Sequence, residues 1–156
     1  MRSTRVAVLV TALIALGALT AGQALAGAAA KIHQKVVTVG IVLTRTGNSV
    51  VSLYRVKSSL YGQGAAIQHA QLKNATFPIH GTDTVTTYYA DGAAATKDAF
   101  TLGTLNASGI GAITGSGKCA GGTGIHKHQQ CSYKLSGTYN SKTMISHVTA
   151  TGTVSG

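Results

Sequence analysis

Carboxylate side chains are scarce in this chain. Glu is absent, and Asp83, Asp91 and Asp98 are the only acidic residues among 156. Ordinary glycoside hydrolysis uses two carboxylates, and all-oxygen sites for Mg²⁺ or Ca²⁺ use several. The composition therefore nearly excludes chemistry that depends on paired carboxylates.

Two histidines stand two positions apart, at His126 and His128. On a strand, residues i and i+2 share a face and could bind Cu or Zn together. If the strand pattern that follows extends back to them, both point outward, and the neighbouring Lys127 repels a cation. We therefore expect a solvated basic loop here and no metal site.

No nucleophile in the sequence is accompanied by a recognisable base. The chain has no G-x-S-x-G turn, and the glycine-rich stretch over 121–124 lacks the Gly-Lys-Ser/Thr ending of a phosphate-binding loop. We therefore predict no catalytic residue and no cofactor.

The first 30 residues have the pattern of an export signal. Arg2 and Arg5 precede an apolar run over 6–19, and Ala24-Leu25-Ala26 supplies the small residues that a signal peptidase accepts. We predict a signal peptide over 1–26, with a second cut site after residue 30, and a secreted, extracellular protein without a stable membrane span after processing. The alternative is an uncleaved membrane anchor.

The chain is strongly basic, with 13 Lys and Arg against 3 acids. Such a charge attracts anionic envelope polymers, membranes or nucleic acid. The basic residues are scattered, and no aromatic-basic RNA motif accompanies them. We therefore expect an anionic cell-surface polymer as a partner, and no nucleic acid.

Cys119 and Cys131 are the only cysteines. Outside the cytosol, two thiols tend to be oxidised, so export favours a disulfide between them. Free thiols and a metal pair are the alternatives, and the spacing is not the C-x-x-C of a zinc site.

Short stretches rich in Val, Ile, Thr and Tyr alternate with Gly, Asn, Asp and Ser turns, which indicates an all-β fold. The candidate strands are 36–44, 50–61, 65–70, 75–79, 82–90, 99–105, 109–118, 131–139 and 145–154. Asp91-Gly92 is a hairpin turn signal, and Pro78 should lie at a sheet edge or bulge. Such regular strands predict a sandwich or a closed barrel.

Alternation is clearest over 131–139. Cys131, Tyr133, Leu135 and Tyr139 occupy the odd positions, and polar residues occupy the even ones. A period of two places the odd set on one face, which we expect to be the core. The same argument places Val148 and Val154 inward on the last strand.

Glycine and tyrosine motifs add a resemblance to a known family. The stretch GSGKCAGGTG over 115–124, followed by YKLSGTY over 133–139, resembles allene oxide cyclase and dirigent-like barrels, and so do VKSSLYGQGA over 56–65 and TVTTYYADG over 84–92. The resemblance implies a single eight-stranded antiparallel β-barrel with an apolar cavity, often dimeric or trimeric. The predicted layout is a signal peptide over 1–26, an N-terminal segment with the first strand over 27–48, and the barrel domain over 49–156.

Two departures from that family limit what the resemblance carries over. Cys119 stands where the family often has an aromatic residue. The cyclase uses a glutamate, which this chain lacks. The resemblance therefore implies the fold and a homo-oligomer, but not the activity.

Aromatic side chains are the candidate ligand contacts. The residues that could line a barrel interior are Tyr54, Tyr61, Tyr89, Phe100 and Tyr133, with Phe77, Tyr88 and Tyr139 as further members. They either fill the barrel or surround a cavity for a small apolar ligand. We expect a secreted, non-catalytic binding protein; the alternatives are a cyclase or isomerase that acts by cavity shape and a structural envelope protein.

Overall fold

A computed structural model describes residues 30–156 of the chain. The predicted signal peptide over 1–26 lies outside the described residues. The described part is a closed barrel of eight antiparallel strands, which confirms the predicted fold class. The strands are β1 (Ile32–Thr46), β2 (Ser49–Ser58), β3 (Gly62–Leu72), β4 (Ile79–Tyr89), β5 (Gly92–Leu102), β6 (Ile110–Gly122), β7 (Gln130–Asn140) and β8 (Ile145–Ser155).

Each strand pairs with the next one along the chain, and β1 closes the barrel by pairing with β8 from Ile32↔Val154 to Ile41↔Ile145. The first strand begins four residues earlier than the predicted 36–44. It belongs fully to the barrel, because β2 occupies its other edge. The closure leaves no open sheet edge and separates an inner from an outer face.

The inner face follows the predicted alternation. On β7, Tyr133 and Leu135 point inward, whereas Ser132 and Lys134, which alternate with them, are exposed. Val154 on β8 is 4% exposed and belongs to the core. Period-two patterning therefore assigns the two faces of these strands correctly.

The predicted strand over 75–79 is wrong, because a loop occupies most of it. Asn74 organises this loop: its Nδ2 donates to the carbonyls of Thr76 at 2.7 Å and Pro78 at 2.8 Å, and its Oδ1 accepts from the His80 amide at 2.8 Å. Side-chain bonds of this kind compete with a sheet ladder. Pro78 therefore precedes β4 and does not lie at an edge or bulge within it.

Several outward residues of β1 are apolar, although alternation predicts polar residues on the outer face. Val37, Val39, Ile41 and Leu43 point outward and are between 39% and 55% exposed. Leu53 on β2 pairs with Ile41 and extends this apolar stripe. The outer surface of the barrel is therefore not polar throughout, and the homo-oligomer stays a prediction.

The two cysteines form the predicted disulfide. Cys119 near the end of β6 lies opposite Cys131 near the start of β7, with a Cα–Cα distance of 5.0 Å. The neighbouring Lys118↔Ser132 pair shows the same register. The bond ties the two strands together at the point where a loop separates them.

Candidate ligand-binding cavity

The barrel interior is hollow. Inward side chains surround a cavity of about 410 Å³. The small residues Ala66, Ala70, Ala150 and Gly152 form part of its wall. Larger aliphatic residues at these positions would fill such a space, so the cavity results from the small side chains on β3 and β8.

The five predicted aromatic contacts, Tyr54, Tyr61, Tyr89, Phe100 and Tyr133, all line this cavity. Phe77 and Tyr139 line it too. Tyr88 does not, because it points outward and is 52% exposed. Gly40 lies against the Tyr54 ring, where a Cβ would overlap that ring. The aromatic side chains surround the cavity without filling it.

One end of the barrel is closed by an aromatic cluster around His126. Its imidazole lies 4.6 Å from the Tyr61 ring, edge to face, and 5.3 Å from the Tyr89 ring. Its ring nitrogens contact Gln129 at 3.1 Å and the Asp91 carboxylate at 3.3 Å. Gln129 in turn donates to the Tyr61 hydroxyl at 2.7 Å.

The expectation that His126 points into solvent is therefore wrong. A short 3-10 helix, Gly124–His126, interrupts the strand pattern between β6 and β7, so strand alternation does not extend back to this residue. His126 is fully buried, whereas His128 is exposed as expected. The two imidazoles do not share a face, and residues 30–156 contain no cluster of three His, Cys, Asp or Glu side chains that could hold a metal ion.

The opposite end of the cavity is open. Its lining there includes Arg45, Phe77 and Met144, and all three are exposed. Phe77 is 41% and Met144 is 42% exposed. An apolar rim with one cation therefore leads from solvent into the interior.

Two of the three acidic residues lie side by side inside this cavity. Asp83 on β4 and Asp98 on β5 are direct partners across the hairpin. They are 7% and 9% exposed, and both line the cavity. The scarcity of acids gave no reason to expect two carboxylates side by side, but the register of β4 and β5 aligns the two that these strands carry.

A chain of polar contacts connects this acid pair to the aromatic residues. Tyr133 donates to Asp98 Oδ1 at 2.5 Å, and Gln68 Nε2 donates to Asp83 Oδ2 at 2.5 Å. Further along, the Tyr54 hydroxyl donates to Gln68 Oε1 at 2.8 Å and accepts from Ser146 at 3.4 Å. The chain crosses the interior through residues of six strands. Its members hold one another in place, as buried polar networks do.

Gly117 provides the room for this arrangement. It pairs with Asp98 on one side and with Tyr133 on the other. A Cβ at this position would overlap the Asp98 carboxylate and the Tyr133 ring. Only glycine at residue 117 allows the short contact between the tyrosine and the acid.

The pKa of Asp83 is raised to about 7. Burial is the main cause, and the neighbouring Asp98 carboxyl is the second. Burial also raises the pKa of Asp98, although its contacts with Tyr133, Asp83 and Thr96 oppose this effect. The contact between the two carboxyls raises the pKa of Asp83 and lowers that of Asp98. Asp83 is therefore the residue that holds a proton near neutral pH.

The acid pair also leaves one acceptor free. Asp83 Oδ1 is buried and has no hydrogen-bond partner within residues 30–156. A buried polar atom without a partner is costly, and perturbed carboxyls in a cavity are candidates for function. The pair is thus the candidate functional site of the interior.

The spacing of the two acids around the hairpin turn is a sequence signal for this pair. Both acids lie seven or eight residues from the hairpin turn near Asp91, and they share a face for any turn of two residues. The turn occupies Ala90 and Asp91, which pairs Tyr89 with Gly92 and aligns Asp83 with Asp98. A turn at Asp91-Gly92 would instead place Asp83 opposite Phe100, so the predicted turn concealed the contact.

Comparisons with protein-family models, curated proteins and solved structures found no match to this chain. Among residues 30–156, no helix has the length and apolarity that a membrane span requires.

We expect the acid pair to make stability fall as pH rises. Asp83 binds its proton more tightly in the folded chain than in the unfolded chain, where its pKa is near 3.8. Its contribution is therefore complete below about pH 4 and is lost as pH rises to about 7. Relative to Asp83→Asn, the free energy of unfolding of the wild type should fall by about 3 kcal/mol over this range.

Urea denaturation at pH 4, 6 and 8 measures this difference. Asn preserves an acceptor for Gln68 and gives Asp98 a neutral donor, so the variant should be relatively more stable at pH 8. Parallel pH profiles for the two proteins would show that Asp83 does not hold a proton inside the barrel.

Proposed function

We propose that this protein is a secreted, non-catalytic binding protein whose barrel holds a small, mainly apolar molecule. The observation that carries the proposal is the cavity of about 410 Å³, open at one end. Pockets for small molecules commonly measure roughly 300–1,000 Å³ and combine apolar walls with a few polar groups. Aromatic and aliphatic walls with one polar chain agree with that description.

Export is part of this proposal. It is supported by the n-region, apolar run and small-residue cut site of the sequence over 1–26, and by the Cys119–Cys131 disulfide, since such bonds persist mainly in oxidising compartments. A distant relation to allene oxide cyclase and dirigent-like barrels is also proposed. It is supported by the glycine and tyrosine motifs and by the eight-stranded antiparallel topology.

A neutral fluorescent probe tests the binding function. N-phenyl-1-naphthylamine should bind the mature chain with increased emission, because naphthyl and phenyl rings fit the aromatic walls. Ala150→Phe places a ring into the cavity from β8 and should weaken binding at least about tenfold, since one phenyl ring occupies much of the free space. Thr151→Phe adds the same ring at the neighbouring, exposed position and serves as the matched control.

Equal binding by the two variants would contradict the proposal, and so would a wild-type barrel that does not bind the probe. The second result would favour the structural envelope role. Chemical conversion of a bound compound in the same assay would favour the cyclase or isomerase alternative.

A second function is supported by the outer surface. Lys97 on β5 and Lys118 on β6 are direct cross-strand partners, and Lys134 lies outward on the next strand, β7. Like charges placed directly opposite each other destabilise a sheet. An anionic polymer along these strands would neutralise the three charges, so we propose that the protein also adheres to such a polymer.

Dextran sulfate is a suitable probe for this surface. Replacement of Lys97, Lys118 and Lys134 by Gln should weaken binding at least about fivefold at about 0.15 M salt, because neighbouring charges act together on one polymer. Replacement of the separated residues Lys57, Lys73 and Lys142 by Gln removes the same charge and should have a smaller effect. Equal losses in the two triple variants would indicate attraction by net charge alone and would overturn the assignment.

A further inference from the structure

We propose that the ligand of the barrel is an apolar molecule that carries one amine, and that Asp83 and Asp98 bind its ammonium group. This inference rests on the proposed binding function and names the ligand class for the same cavity. Four features of the interior support it: its charge, its free acceptor, its aromatic walls and the position of its only basic residue.

The charge of the interior is opposite to that of the outer surface. Of the basic residues over 30–156, only Arg45 lines the cavity, and it does so at the open end. Its side chain is exposed, and its Nε donates to the Gly47 carbonyl at 3.3 Å. It therefore belongs to the rim and does not neutralise the acid pair.

Within the described part of the chain, the other side chains that hydrogen-bond to the acid pair are uncharged. Gln68 reaches Asp83 from β3, Tyr133 reaches Asp98 from β7, and Thr96 reaches Asp98 from its own strand. Tyr54 on β2 is close enough for both carboxylates to raise its pKa, although burial is the larger cause. Among residues 30–156, neither acid forms an ion pair with a basic side chain, although Lys97 and Lys118 lie nearby on the outer face.

The free oxygen of Asp83 gives a cation a defined position. Asp83 Oδ1 is the buried acceptor that lacks a partner, on a side chain that is 93% buried, with the Asp98 carboxylate beside it. An ammonium group has three N–H donors and no acceptor. When both carboxyls are ionised, it can therefore donate to Asp83 Oδ1 and to Asp98 together, whereas a hydroxyl group has only one O–H donor to offer.

Aromatic faces beside the pair favour the same ligand class. Tyr133 bonds to Asp98 directly, and Phe100 lies two residues further along the inner face of β5, with its ring over Gly81. Cations are attracted to the faces of such rings, more strongly when water is excluded. An amine with an apolar body would place its cation at the pair and its body against the remaining walls.

Binding of an ammonium group requires an ionised pair. The ligand would displace the proton from Asp83, so affinity should rise as pH increases from about 5.5 to about 8, the range around the pKa of about 7. A neutral ligand that accepts a hydrogen bond from protonated Asp83 would show the opposite trend. A carboxylate ligand would be repelled by Asp98.

Three naphthyl compounds of nearly equal size distinguish these cases: the amine 2-(1-naphthyl)ethylamine, the alcohol 2-(1-naphthyl)ethanol and the carboxylate 1-naphthaleneacetate. Isothermal titration calorimetry of the mature protein at pH 8 should give an affinity for the amine at least about tenfold above that for the alcohol. The naphthyl carboxylate should show no measurable binding. The preference for the amine should decrease at pH 5.5. This comparison uses the wild-type protein and does not depend on the folding of any variant.

Variants then assign the preference to the acid pair. Asp98→Asn should remove most of the preference for the amine over the alcohol. Thr82→Lys changes the net charge by the same amount on the exposed outer face of β4 and should preserve the preference. Loss of preference in both variants would show a general charge effect and would overturn the proposal.

The outcomes distinguish this inference from the proposed function. If N-phenyl-1-naphthylamine binds and the naphthyl amine is no tighter than the alcohol, the ligand class is wrong and the binding function stands. If neither the neutral probe nor any naphthyl compound binds, the binding function fails, and the amine assignment fails with it.

Discussion

Closure of β1 against β8 is the constraint on which the rest of this structure depends. A sheet with no edge has only an inside and an outside, so the parity of each residue decides whether it meets solvent or the cavity. The small residues Ala66, Ala70 and Ala150 then determine that the inside is not completely filled. The same closure directs Lys97, Lys118 and Lys134 outward and Asp83 and Asp98 inward, and this separates the charges of the two surfaces.

The acid pair lowers the stability of the folded barrel. Burial of carboxyls disfavours their charged forms, and a second carboxyl beside the first increases this cost. The barrel offsets part of it with hydrogen bonds from Gln68 and Tyr133 and with the space at Gly117. One oxygen of Asp83 remains without a partner. Sites where a protein accepts such a cost are often functional sites, which is why the pair, and not the aromatic lining alone, defines the chemistry of the proposed ligand.

The sequence predicted those features that depend on local periodicity. Alternation around Tyr133 and Leu135 identified the inner face, the turns between short strands indicated a sandwich or a barrel, and the export pattern favoured the Cys119–Cys131 bond. The five aromatic residues line the cavity, and their role as ligand contacts stays a prediction. What remained open was whether they fill the barrel, since free volume depends on all eight strands together.

Features that depend on a single turn were missed. A 3-10 helix before β7 turned His126 into the interior, where strand parity had placed it outside. Hydrogen bonds of Asn74 replaced an expected strand by a loop. The hairpin turn lies one residue earlier than predicted. Asp83 therefore pairs with Asp98 and not with Phe100, and this pairing places two carboxyls together in the cavity. Composition could not reveal this contact, because scarcity of acids does not determine how far apart they lie.

Carbon-13 NMR of the aspartate carboxyls tests the central claim most directly, because the chain contains only three of these groups. A titration of the mature protein labelled at the aspartate side-chain carboxyl should show two coupled signals, with one proton released near pH 7, because burial raises the pKa of Asp83 to about 7. Asp83→Asn should remove the titration near pH 7, and unfolding of the wild type in urea should return all three carboxyls to separate, ordinary titrations. Completion of all three titrations below about pH 5 in the folded protein would contradict the account, since solvated carboxyls behave in that way.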